Sequence, residues 1–148
     1  MKSDLVLRLF VLWFLVAVSG GCTCARANEV ERMNVLGAAL TKLSGSVEST
    51  VRYKNPPEGI GDAELLSLST KHDPGLLEPF ADYKLRVSRQ DNHAVVLVCD
   101  KDGKTGLLED AGCSSEMDRH LWKEEPPKPC EFTLKAKVTC PPVQPPAQ

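Results

Sequence analysis

Six cysteines and three histidines carry most of the reactive chemistry in this 148-residue chain. Cys22 and Cys24 lie near the start, while Cys99, Cys113, Cys130 and Cys140 fall in the last third. Thiols ligate soft metals, act as nucleophiles or join as disulfides. The last four contain no Cys-x-x-Cys pair, which argues against a thioredoxin-like redox motif. Cys22 and Cys24 have one residue between them and no second pair to match, which is poor zinc spacing. His72, His93 and His120 fit no HExxH pattern. The one acid–base set on offer is His120 with Ser114 or Ser115 and Asp118, and it lacks a G-x-S-x-G turn. No catalytic residue, metal ligand or cofactor is therefore assigned.

Asp100-Lys101-Asp102-Gly103 invites a calcium reading. An EF-hand loop needs an acidic or Asn ligand at its fifth position and Gly at its sixth. Those positions hold Lys104 and Thr105. Asp102-Gly103 is an ordinary turn pair instead.

The N-terminus sets the compartment in which any cysteine must work. Lys2 and Arg8 precede ten consecutive apolar residues, Leu9 to Val18, and small residues follow. This is the pattern of an export signal, and the run is about half the roughly 20 residues of a membrane span. Cleavage after Ala27, at Ala25-Arg26-Ala27, leaves four cysteines in the mature chain, an even number suited to two disulfides. The alternative is cleavage after Gly21 with lipid on Cys22, giving a membrane-anchored lipoprotein. It leaves an odd number of free thiols in an oxidising space. Export is what makes disulfides expected at all.

The cysteines can pair in three ways, and elements between them decide. Phe132, Leu134, Ala136 and Val138 alternate with Thr133, Lys135, Lys137 and Thr139, which predicts a strand from Cys130 to Cys140. A strand of that length holds its ends about 33 Å apart, whereas disulfide partners need Cα atoms within about 7 Å. Cys130–Cys140 is thereby excluded. The open pairings are Cys99–Cys130 with Cys113–Cys140, slightly favoured, and Cys99–Cys140 with Cys113–Cys130.

Earlier elements follow from periodicity. Val30, Met33, Leu36, Leu40 and Leu43 form a helical stripe from Asn28 to about Ser44, with Asn28 and Glu31 as a capping box and Gly45 as an end or kink. Asp62 is expected to cap a short helix reaching about Lys71, and Pro79 forbids a long one after it. From Tyr83 the period changes to two, with Lys84, Arg86 and Ser88 on the wet face. Ala94 to Cys99 is β-branched and nearly continuous, as in a central strand. A third strand is expected from Thr105 to Leu108, closing a meander. Residues 109–122 read ambiguously.

The resulting expectation is an α+β fold. An N-terminal helix packs on a small antiparallel sheet, a meander plus a C-terminal strand, stapled by two disulfides. The organisation is a signal at 1–27, one domain at 28–140 and a Pro-rich tail at 141–148. In outline this resembles the cystatins, which also join an early helix to four cysteines in the second half and pair them as sequence neighbours. The Gln-x-Val-x-Gly loop of that family has no counterpart here, so no residue role carries over and membership is not assigned.

Residues 28–148 carry 15 Lys plus Arg against 19 Asp plus Glu, a net charge of −4. No basic cluster tracks phosphates, so nucleic acid is not an expected partner. Trp122, flanked by Arg119 and Lys123, is the candidate binding anchor. The function expected is a small secreted or periplasmic binding or accessory protein that engages another exported or envelope protein. Membrane attachment is expected only through a lipidated Cys22. The alternatives are a structural envelope component using the Pro-rich tail, or a small hydrolase using His120.

Overall fold

The computed structural model describes the backbone of residues 21–140. Most of the signal, the Pro-rich tail and the Cys22 side chain lie outside the described residues. The chain forms two compact units that divide after Val35. In the first unit, residues from Gly21 are helical, and Val30 and Val35 are exposed.

Helix α1 spans Gly21–Lys54, 34 residues. It starts earlier and ends later than its expected bounds of Asn28 and Ser44. Asn28 lies inside the helix and caps nothing, and Gly45 is passed without a break. The physical reason is packing. Leu36, Leu40, Leu43, Val47 and Val51 form one buried stripe that runs straight through Gly45. Burial along that stripe outweighs the roughly 1 kcal/mol that a helical glycine costs. Asn55 ends the helix in the left-handed region with φ 43°, a conformation Asn tolerates. Helix α2, Asp62–Ser69, begins one residue after its N-cap, Gly61. A 3-10 helix at Pro74–Phe80 then accommodates Pro79 and buries Phe80.

The sheet comprises β1 (Lys84–Gln90), β2 (His93–Cys99) and β3 (Gly106–Ala111), antiparallel in the order β1-β2-β3. The meander is as expected, except that β3 runs three residues further than Leu108. Val96 pairs in register with Asp110 and Val95 with Ala111. Residues Ala94 to Cys99 are fully buried, since β2 is central and covered on both sides. On one side Asp110 reaches Ser44 of α1. On the other, Val95, Leu97 and Cys99 pack with Leu121, Cys130, Ala136 and Cys140, joined by half-buried Phe132 and Leu134.

That second cover replaces the predicted C-terminal strand. Residues 131–135 form no ladder, and a short helix α3 follows at Ala136–Thr139. The backbone groups that a strand would pair with a neighbour are taken by side chains instead. Glu109 Oε1 accepts the N–H groups of Thr133 at 2.9 Å and Leu134 at 3.0 Å. Gln90 donates to the Leu134 carbonyl at 3.1 Å and accepts the Ala136 N–H at 2.7 Å. Arg86 donates to the Cys130 carbonyl at 2.7 Å. The face of β1 expected to be wet thus holds the closing segment.

The disulfides are Cys99–Cys130 and Cys113–Cys140. This is the favoured pairing, and it differs from the neighbour pairing of the cystatins. The straight strand that led to it is absent, but the chain between Cys130 and Cys140 still does not fold back on itself as a hairpin.

Candidate functional site

Three groups of side chains merit a functional reading, and the first is the tryptophan loop. Trp122 sits in a 3-10 turn at Leu121–Lys123, with Leu121 buried beneath it. Its ring is half-buried, and the Lys123 ammonium lies 5.3 Å from the ring centroid, within cation–π range. The indole N–H is buried without an acceptor. Arg119 lies beside it but is engaged internally: its guanidinium pairs with Glu124, which also takes Lys128 at 3.2 Å. These hydrogen bonds, that from Arg119 first, hold the Glu124 carboxyl below its usual range. The loop itself is held firmly. Arg119 and Glu109 exchange backbone hydrogen bonds at 2.9 and 3.1 Å, and Gly106 donates to the Lys128 carbonyl at 2.9 Å. These contacts also cover the outer edge of β3.

The second group is a set of buried carboxylates. Asp110 is fully buried and bonds to the Ser44 hydroxyl and the Asp118 N–H. Burial, opposed by the Ser44 hydrogen bond and reinforced by the Asp118 charge, raises its pKa to about 6. Burial also raises Asp118, whose Oδ2 accepts the Ala111 N–H at 2.7 Å. Glu109 is fully buried and serves the closing segment. These groups tie backbone to backbone, so their chemistry is that of a frame.

The acid–base set nominated from the sequence is only partly assembled: Ser114 lies within hydrogen-bonding reach of Asp118, but His120 bonds to neither. The Ser114 hydroxyl exchanges hydrogen bonds with the backbone of Glu116. His120 Nδ1 is buried without a partner, and burial, with the Lys123 charge, lowers the His120 pKa. Asp100 also turns inward on its own loop, where Oδ1 accepts the N–H groups of Lys104 and Thr105. The Thr105 bond is the main reason its carboxyl titrates below its ordinary value.

The third group joins residues that the sequence keeps far apart. His93 opens β2, Cys113 follows β3, and Cys140 closes α3. The register explains the meeting: Val95 faces Ala111, and Gly112 donates to the Ala94 carbonyl at 3.2 Å, so the start of β2 lies beside the end of β3. A ring nitrogen of His93 and the sulfurs of Cys113 and Cys140 lie within 4.8 Å of one another. Glu48 of α1, itself buried, holds His93 Nδ1 at 2.7 Å and the Ala94 N–H at 2.7 Å. No spacing motif signals this group, because it depends on strand register and on one disulfide.

A shallow cavity of about 400 Å³ is lined by Glu58, Arg89 and Asp91, where Arg89 is already bonded to the Pro56 and Pro57 carbonyls. Among the described residues, no helix is long and apolar enough to cross a membrane. Comparison of the chain with protein-family models, curated proteins and solved structures finds no match.

Proposed function

We propose that this chain is a small exported binding or accessory protein that engages another exported or envelope protein through Trp122 and Lys123, with Arg119, paired to Glu124, at the rim. The observation that carries the reading is the way the tryptophan is presented. A partly exposed indole with an ammonium over its face sits on a non-regular loop, and that loop is fixed to β3 by backbone bonds and flanked by both disulfides. Rigid aromatic anchors on a braced loop bind at low entropic cost. Export is supported by the signal-like first 27 residues and by two disulfides, which persist in oxidising compartments.

The test places a photo-crosslinking residue at Lys123 in the producing cell. The expected result is a discrete adduct with one exported or envelope protein, lost in Trp122→Ala. An intact mass that begins at Asn28 is expected from the same material. Absence of any adduct, or an adduct indifferent to Trp122→Ala, overturns the binding assignment. A full-length mass overturns cleaved export.

A further inference from the structure

We propose that Cys113, Cys140 and His93 form a divalent transition-metal site, suited to zinc, when the Cys113–Cys140 bridge is reduced. Disulfide and metal are then alternative occupants of one place. The donor set is two thiolates and one imidazole: the two sulfurs, bonded to each other in the disulfide, lie within 4.8 Å of a ring nitrogen of His93. Zinc takes such S and N ligands tetrahedrally at about 2.3 and 2.0 Å, which puts two ligating sulfurs about 3.8 Å apart. The Cα atoms of Cys113 and Cys140 are 5.5 Å apart, so side-chain rotation alone can open that separation. Three protein ligands leave the fourth position to water.

The surroundings of His93 are what separate this from a chance cluster. Its Nδ1 is bonded at 2.7 Å to Glu48, a buried carboxylate that α1 and the Ala94 N–H hold in place. That arrangement leaves Nε2 to ligate. A carboxylate on the distal nitrogen orients a ligating histidine and raises its basicity. One sulfur of the bridge is within reach of a reductant: Cys113 is partly exposed although Cys140 is buried, whereas both Cys99 and Cys130 of the other bridge are buried. Among the described residues no second group of this kind forms around Cys99 and Cys130.

The redox step balances with a dithiol as reductant. The dithiol gives two electrons and two protons to the S–S bond and becomes a disulfide, and Cys113 and Cys140 become thiols. The metal then displaces the two thiol protons, one from each sulfur, and they pass to solvent.

Cobalt(II) is the probe, added to the whole protein after reduction with a non-chelating phosphine, which ends as its oxide with oxygen from water. The expected result is one equivalent bound, with a sulfur-to-cobalt charge-transfer band and the visible bands of a tetrahedral site. Cys113→Ser and His93→Gln should each abolish the tetrahedral signature. Glu48→Gln should keep it and weaken binding by about tenfold or more. Zinc should displace the cobalt and should slow reoxidation of the Cys113–Cys140 bridge, read by mass after thiol trapping. The site is overturned if the reduced chain, folded or unfolded, takes up no stoichiometric metal. Persistence of the same spectrum in Cys113→Ser or His93→Gln overturns it equally, because the ligands then lie elsewhere.

Discussion

Glu109 grips Thr133 with both carboxylate oxygens: Oε1 takes the backbone N–H at 2.9 Å and Oε2 the side-chain hydroxyl at 2.6 Å. The same Oε1 takes the Leu134 N–H. A fully buried strand carboxylate therefore does for residues 133–134 what a neighbouring strand would otherwise do. Hydrogen bonds to charged groups contribute about 1.5–3 kcal/mol each, and they share one acceptor group here. Glu109→Ala is expected to lose about 3 kcal/mol in denaturant unfolding and to open the peptide bond after Lys135 to trypsin in the native state. A variant with unchanged stability and a trypsin-resistant closing segment would refute this role.

This grip also explains where the sequence misleads. The alternation of Phe132, Leu134, Ala136 and Val138 reports the sheet-facing side chains for its first three members, which pack on the sheet, and fails at Val138, which α3 leaves exposed. Period two speaks of side chains and not of ladder partners, and the partners are Glu109 and Gln90, more than twenty residues away in sequence. The central strand was legible because β-branched residues dominate it. The helix overran its expected end because buried Val47 and Val51 continue the stripe beyond Gly45. The His93–Cys113–Cys140 group was not legible, because strand register brings it together. The ion pair that occupies Arg119 was not legible either, because Glu124 reaches it only through the fold of the loop.

Two glycines should respond oppositely to alanine. A Cβ at Gly112 would lie 2.1 Å from the Ser44 carbonyl oxygen and 2.7 Å from the Glu48 Cβ, so α1 would have to move off the end of β3. A Cβ at Gly45 meets nothing within 4 Å. Gly112→Ala is expected to lose at least about 3 kcal/mol, at the upper end of overpacking costs. Gly45→Ala is expected to gain about 0.5–1 kcal/mol from helix propensity and a less flexible unfolded chain. Thermal unfolding of the two variants beside the wild type checks both signs, and a stabilised Gly112→Ala would show that the helix does not press on that turn.

Asp110 makes the fold sensitive to pH in a defined window. Its folded pKa of about 6 lies above the ordinary value of 3.8. Below about pH 3.8 the folded and unfolded chains both hold the proton, so the Asp110 contribution to stability is fully present. As pH rises from there to about 6 the unfolded chain releases the proton first, and this contribution is lost. Above about 6 the loss levels off near 3 kcal/mol at most. Asp118 is also raised and acts in the same direction. Asp110→Asn removes the titration while an amide can still accept the Asp118 N–H and donate to the Ser44 hydroxyl, which itself donates to the Thr41 carbonyl at 3.1 Å. The difference between variant and wild type should favour the variant by a few kcal/mol at pH 7.5 and shrink steadily towards pH 3.5. A difference independent of pH would mean that Asp110 does not hold its proton in the folded state.

The two bridges should differ in order of reduction and in what their loss does. They close segments of similar length, with sequence separations of 31 and 27, so chain entropy assigns each about 3–4 kcal/mol. Their surroundings differ. Cys99 is fully buried in a cluster with Leu97 and Leu121, and Cys130 is nearly so. Cys140 is as buried as Cys130, but Cys113, just beyond β3, is partly exposed. A thiolate reductant must reach a sulfur along the S–S axis, so access governs the rate. Brief reduction followed by alkylation and peptide mass mapping should find Cys113 and Cys140 labelled while Cys99 and Cys130 remain joined. Cys99→Ala with Cys130→Ala should destabilise the chain more than Cys113→Ala with Cys140→Ala, because it also empties space beneath Leu121. Faster opening of the Cys99–Cys130 bridge would show that the Leu97–Leu121 cluster does not shield its sulfurs.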